Sequence, residues 1–288
     1  MKEFKFTKRV NRIFQIASKE AEYHERIIQP LDLFIGACKE GTGVCGELYM
    51  YLFHSIGIDF VAKFKQLQQT EFQDKRCIEV QEYNVSYRTM EILQLAKRKM
   101  ERFNQVYVNE GHIVSVILQR DEEIQNLIGE DMRQRILHIV SVPRDMTVDL
   151  KDYKIPSMDD LICNINRANQ SDLEELLQFV MNEFGERWFG TVNKGFREYK
   201  EPPIYIAKKN ETIIGFACYD VVRGKKGLFG PMGTAKSHRV KGVGRELLHR
   251  CLSDMKQIGY EYAIIGQAGP LEFYEEGCQA QLIPITIT

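Results

Sequence analysis

Apolar residues recur at helical spacing through the first ~140 residues, then give way to short runs and alternation beyond residue 160. Thr7 is placed to cap a first helix whose stripe is Val10, Ile13, Phe14, Ala17 and Ala21. Pro30 opens a second helix with Leu33, Phe34, Ala37 and Cys38 inside, and Gly41 and Gly43 end it. A third carries Leu48, Tyr51 and Leu52 and stops near Gly57; a fourth runs through Val61, Phe64 and Leu67. The polar stretch from Gln68 to Asn84 offers no such pattern.

The pattern then restarts. At an offset of 79, Phe6 to Glu22 matches Val85 to Glu101 at five positions: Arg9/Arg88, Ile13/Ile92, Gln15/Gln94, Ala17/Ala96 and Glu22/Glu101. The cap Thr7 is answered by Ser86. At an offset of 80, Asp32-Leu33-Phe34 faces His112-Ile113-Val114. Caps, apolar faces and turns fall in step, so the pattern predicts two tandem four-helix units, each burying its apolar face on the other. Asp32 and His112 stand where helix-start capping residues belong.

This tandem resembles the amino-terminal repeat domain of Clp-type ATPases, on Phe6-Thr7-Lys8-Arg9 with its helix and on Lys39-Glu40-Gly41-Thr42-Gly43-Val44. The resemblance covers about residues 4 to 140. It implies an all-α, non-catalytic module that docks a protein partner. No GxxxxGK[ST] follows, so the chain is not a Clp motor. The family's Thr-Glu-His opening of each second helix reads Pro30-Leu31-Asp32 and Glu110-Gly111-His112 here. Leu31 and Gly111 displace the glutamates that bind modified arginine in some members.

Residues 140 to 157 hold Pro143 and Pro156 and little periodicity. The expected organisation is a helical domain at 1–145, a linker at 146–158 and a second domain at 159–288.

In that second domain Ile162, Asn164 and Asn166 start a strand. Ser171-Asp172 caps a helix with Leu173, Leu176, Leu177, Val180 and Met181 inward. Ile204–Ala207 and Ile213–Val222 form a hairpin around Lys209-Asn210-Glu211. Leu228 to Ala235 is a strand broken by Gly230, Pro231 and Gly233, a signal for a bulge or close approach. Arg245 to Ile258 is a helix, Tyr262 to Ile265 a strand buried on both faces, and Leu282 to Ile287 a closing strand.

Between the glycine-broken strand and the helix lies His238-Arg239-Val240-Lys241-Gly242-Val243-Gly244-Arg245. Two glycines one residue apart let the backbone turn and present N–H groups, and the helix start adds about half a positive charge. Such a loop suits a pyrophosphate, with Arg239, Lys241 and Arg245 adding full charges; it also suits a plain strand-to-helix turn.

In order, these pieces resemble the GNAT acetyltransferase superfamily over about residues 160 to 288. Arg239-Val240-Lys241-Gly242-Val243-Gly244 fits its Q/R-x-x-G-x-G/A phosphate loop, and Phe273-Tyr274-Glu275 its tyrosine-bearing helix. Phe184-Gly185-Glu186-Arg187-Trp188 is similar to a segment of members that include amino-sugar acetyltransferases. Val240 and Gln279 stand where glycine is common in the family.

The resemblance implies an α/β fold with a mixed, splayed sheet and an acetyl-CoA-dependent N-acetyltransferase. Cofactor contacts would come from residues 239 to 245 and from backbone groups around Met232 and Thr234. Tyr274 would be the acid that protonates the thiolate. Asp220, Glu183, Glu186, Glu198 or a water chain would take the amine's proton, and Trp188 and Phe189 would wall an acceptor pocket. The acceptor is a protein amine, an amino sugar or another small amine. A non-catalytic protein whose second half senses acetyl-CoA is the alternative.

Composition narrows the class. Of 288 residues 44% are hydrophobic and 27% charged, which excludes low-complexity and wholly disordered chains. The 39 basic and 40 acidic residues give a net charge of -1, which gives no support for nucleic acid or an anionic membrane as partner. No apolar run approaches the ~18 residues of a membrane span. Met1 to Arg9 has no apolar signal core, and seven cysteines include no CxxC pair. The expectation is a cytoplasmic protein with reduced thiols and no metal.

Overall fold

A computed structural model describes residues 4–68, 76–141, 143–154, 156, 163–222, 224, 226–238 and 242–285. The chain divides into two compact units, residues 1–143 with 284–288, and residues 144–283.

The first unit is helical: α1 (Lys8–Glu20), α2 (Pro30–Glu40), α3 (Gly43–Ile56), α4 (Phe60–Gln68), α5 (Tyr87–Arg102), α6 (Glu110–Arg120), α7 (Glu122–Leu127) and α8 (Glu130–Ser141). Thr7 caps α1 by accepting from Val10 N–H, and Ser86 caps α5 by accepting from Thr89 N–H. Asp32 and His112 close the starts of α2 and α6, accepting from the N–H of Gln29 (2.8 Å) and Asn109 (3.1 Å). The segment read as featureless contains a hairpin, β1 (Cys77–Val80) and β2 (Tyr83–Ser86). Two parallel bridges cross between the two halves of this unit. Phe6, ahead of α1, pairs with Val108, ahead of α6; Val85, ahead of α5, pairs with Ile28, ahead of α2. Each is held by matching bonds: Thr7 N–H to Val108 O and Val108 N–H to Lys5 O, Ser86 N–H to Ile28 O and Ile28 N–H to Asn84 O. One core runs through both halves, with Phe14, Leu33, Phe34, Leu48, Leu93 and Ile117 fully buried. Gly111 has no room for a side chain, since a Cβ there would fall 2.2 Å from the Val140 carbonyl oxygen. Close packing of α6 on α8 therefore demands glycine where the resembled family carries glutamate.

The second unit is a seven-stranded sheet of order β4-β5-β6-β7-β8-β3-β9. Its strands are β3 (Arg144–Asp149), β4 (Asn164–Arg167), β5 (Ile204–Lys209), β6 (Thr212–Tyr219), β7 (Leu228–Thr234), β8 (Tyr262–Ala268) and β9 (Gln281–Leu282). Its helices are α9 (Leu173–Phe184), α10 (Phe189–Glu198), α11 (Val243–Ile258) and α12 (Leu271–Cys278). The linker expected at 146–158 is corrected: it begins inside β3, which pairs antiparallel with β8. Met146 and Val148 are buried while Asp145 and Asp149 are exposed. That alternation is a strand signal, masked in the sequence by the flanking charges and Pro143. The closing strand is shorter than expected, because Pro284 has no N–H to donate beyond β9. Ile162 lies outside the described residues. Met181, expected inside α9, is exposed. The β5–β6 turn places Asn210 and Glu211 in the left-handed region (φ 48° and 63°), the conformation of a two-residue hairpin.

Candidate active site

All strand pairs of the sheet are antiparallel except β7 with β8, which run parallel and share only two partners, Leu228↔Ile264 and Phe229↔Ile265. Beyond Phe229 and Ile265 the two strands part. The cause is local. Between the pairs Ala217↔Met232 and Tyr219↔Phe229, β6 contributes one residue and β7 two, Gly230 and Pro231. This bulge bends β7 away from β8. Gly230 has φ 117°, open to glycine, and the Gly230–Pro231 peptide bond is cis.

The parting leaves β7 with an unpaired edge. Ala235 N–H bonds Ile214 O at 2.9 Å, toward β6. Backbone groups alternate along a strand, so Gly233 also faces β6 while the N–H groups of Met232 and Thr234 face the cleft. Both residues expected to hold the pantetheine arm lie on this edge.

Past the cleft, α11 begins at Gly242, whose left-handed conformation (φ 81°) turns the chain into the helix. Its first N–H groups, on Val243, Gly244 and Arg245, have no partner within the helix. Arg245 is exposed beside them. A β-carbon at Gly244 would sit 3.6 Å from Thr234 Cγ2 and 3.7 Å from Phe273 Cζ. The end of β7, the first turn of α11 and α12 thus converge. Arg239, Val240 and Lys241 of the expected phosphate loop lie outside the described residues.

Tyr274, on α12, is buried and packs edge-on against Phe229 (6.2 Å between centroids), the last residue of β7 paired with β8. Burial, and then proximity to Cys278, pushes its phenol well above the ordinary range. The hydroxyl therefore keeps its proton, and the same shift makes it a weaker acid than an ordinary phenol.

On the opposite face of β7, Phe179 and Phe184 of α9, Trp188 of the α9–α10 connection and Phe216 of β6 form an aromatic cluster. The Arg187 guanidinium stacks over Trp188 at 5.7 Å. Gly233 signalled a close approach in the sequence, but not that Phe184 is the group that makes it.

The four carboxylates differ in what they touch. Asp220 accepts from Gly227 N–H (2.7 Å) and Tyr260 O–H (2.8 Å), with Lys226 at 3.7 Å, so it braces the start of β7. Glu198 pairs with Lys194 at 3.7 Å on α10. Glu186 is exposed. Glu183 accepts from Lys236 N–H at 3.2 Å, past the end of β7.

Residues 172–278, which contain the bulge, the parted strands and the glycine-led helix, match the acetyltransferase (GNAT) family model. This stretch is a GNAT acetyltransferase domain. No curated protein matches the chain. Three solved structures are similar to part of the chain. One holds the GCN5-related glucosamine N-acetyltransferase region of a fungal multi-domain GH3 beta-N-acetylglucosaminidase: 18% identity and TM-score 0.44, covering 50% of this chain and 20% of that one. A GCN5-related N-acetyltransferase from Sphaerobacter thermophilus matches at 14% identity and TM-score 0.41, covering 58% and 64%. An aminoglycoside N-acetyltransferase in complex with CoA matches at 14% and 0.36, covering 47% and 97%. The chain thus spans a fifth of the first structure and under two-thirds of the second. Among the described residues no cluster fits a metal ion and no helix is long and apolar enough to cross a membrane.

Proposed function

We propose that the second unit binds acetyl-CoA and transfers its acetyl group to an amine. The observation that carries this reading is the parting of β7 from β8 after two pairs, which leaves a backbone edge able to bond an extended thioester chain. The pyrophosphate would sit on the N–H groups of Val243, Gly244 and Arg245, where the helix dipole favours anions. Gly242 supplies the turn that presents them.

The amine attacks the thioester carbon, and negative charge develops on its oxygen. The cleft-facing N–H groups of Met232 and Thr234 are the donors available to it, and such fixed donors are worth about 3–4 kcal/mol each when removed. The C–S bond then breaks, and Tyr274 donates its proton to the departing sulfur, a step worth ~10²–10⁴-fold. Of the four carboxylates, Asp220 is committed to Gly227 and Tyr260, which removes it from the proton-accepting role. The acceptor would lie along Trp188 and Phe189, as a protein amine, an amino sugar or another small amine.

The helical unit is assigned a docking role, on its resemblance to the Clp amino-terminal repeat. The two assignments together describe a cytoplasmic acetyltransferase that takes acceptors delivered by a protein-binding module. The test is release of free thiol from acetyl-CoA by the full chain against a panel of amines. Acetyl-CoA binding without turnover on any amine would leave a sensor of the cofactor instead.

A further inference from the structure

One lysine of the helical unit is held by a neutral partner rather than by a carboxylate. Lys99, on α5, donates to Ser115 Oγ on α6 at 2.5 Å. Ser115 is fully buried and spends its own hydrogen on the His112 carbonyl at 3.1 Å. It can therefore only accept from Lys99. Among the described residues no carboxylate lies within ion-pair distance of Lys99 Nζ. Lys39 meets Glu20 at 2.7 Å and Lys63 meets Asp59 at 3.0 Å. Lys99 is half-buried, and its neighbour His112 is held neutral, with a pKa pushed down to about 4 by burial and then by Lys99.

We propose that Lys99 is the acyl-accepting lysine of the helical unit, taking an acetyl group on Nζ from an acyl thioester such as acetyl-CoA. The nucleophile in such a transfer is the free amine, and three features favour it here: no carboxylate partner among the described residues, partial burial, and a neutral hydroxyl as partner. Burial lowers the Lys99 pKa from its ordinary value. An ordinary lysine holds only about one amine in a thousand unprotonated near pH 7.4, so any disfavouring of the ammonium multiplies the reactive fraction. The Nζ lone pair attacks the thioester carbon, an amide C–N bond forms and the C–S bond breaks. The thiolate leaves and the amine's proton ends on it through solvent. The acetyl-lysine retains one N–H for Ser115 and loses its charge.

The test incubates the full chain with acetyl-CoA near neutral pH and follows acetylation of each lysine by peptide mass spectrometry. Lys99 should be acetylated at least threefold faster than Lys39 and Lys63, and Lys99→Arg should remove the label from that peptide alone. The Tyr274→Phe chain should give the same ratio, which separates this chemistry from turnover by the acetyltransferase domain. Labelling of Lys99 no faster than of Lys39 and Lys63, or its disappearance in Tyr274→Phe, would overturn the proposal.

Discussion

The Phe184 ring lies directly on the backbone of Gly233: a β-carbon on Gly233 would fall 2.3 Å from Phe184 Cζ. That contact fixes the aromatic cluster over one face of β7, while Thr234 and Gly215 turn the other face toward α11. Gly233→Ala should push the ring off the strand and destabilise the domain by about 1–3 kcal/mol, the usual cost of overpacking. Phe184→Leu in the same chain should recover part of it. Urea midpoints of the two single variants and the double variant measure the coupling.

Tyr274→Phe keeps the ring and its contact with Phe229. Acetyl-CoA affinity and folding should change little, and kcat should fall at least tenfold on a confirmed acceptor. Wild-type turnover by this variant would make Tyr274 a packing residue only.

Arg245 is exposed at the start of α11, where only surface electrostatics act. Arg245→Gln should weaken acetyl-CoA binding up to about fivefold at low salt, the range of exposed charge pairs. Calorimetry at two salt concentrations should show the difference shrinking as salt rises.

His112 gives the helical unit a pH dependence. Its folded pKa, pushed down to about 4 by burial and then by Lys99, lies below the unfolded value near 6.5. The unfolded state then binds the extra proton, so stability is complete above about pH 6.5 and is lost as pH falls toward 4. The loss amounts to about 3 kcal/mol. His112→Gln retains a side chain able to accept from Asn109 N–H and should flatten that profile in denaturant titrations between pH 4 and 7.

Gln279 ends α12 in the left-handed conformation (φ 55°), where glycine is at ease and other residues are strained. Gln279→Gly should stabilise the second unit by about 0.5–1 kcal/mol, read from thermal melts.

Helix starts were the most legible feature. Thr7, Ser86 and Pro30 are read from side-chain chemistry that acts within one turn, and α1, α5 and α2 begin there. Gly230, Pro231 and Gly233 likewise foretold the bulge in β7. What the sequence hid depends on distant partners. β3 is a strand only because β8 and β9 flank it, and Asp220 resembled any surface acid until Gly227 and Tyr260 closed around it. The vacancy at Gly111 is set by a carbonyl 29 positions along the chain.

The crossed bridges Phe6–Val108 and Ile28–Val85 tie the leading segment of each half of the helical unit to the other half. Neither half closes its backbone hydrogen bonds alone, so cutting between β2 and α5 should not yield two smaller folded pieces. The two halves should therefore melt together in a single step, and the first cannot close its backbone hydrogen bonds until residue 108 has been synthesised.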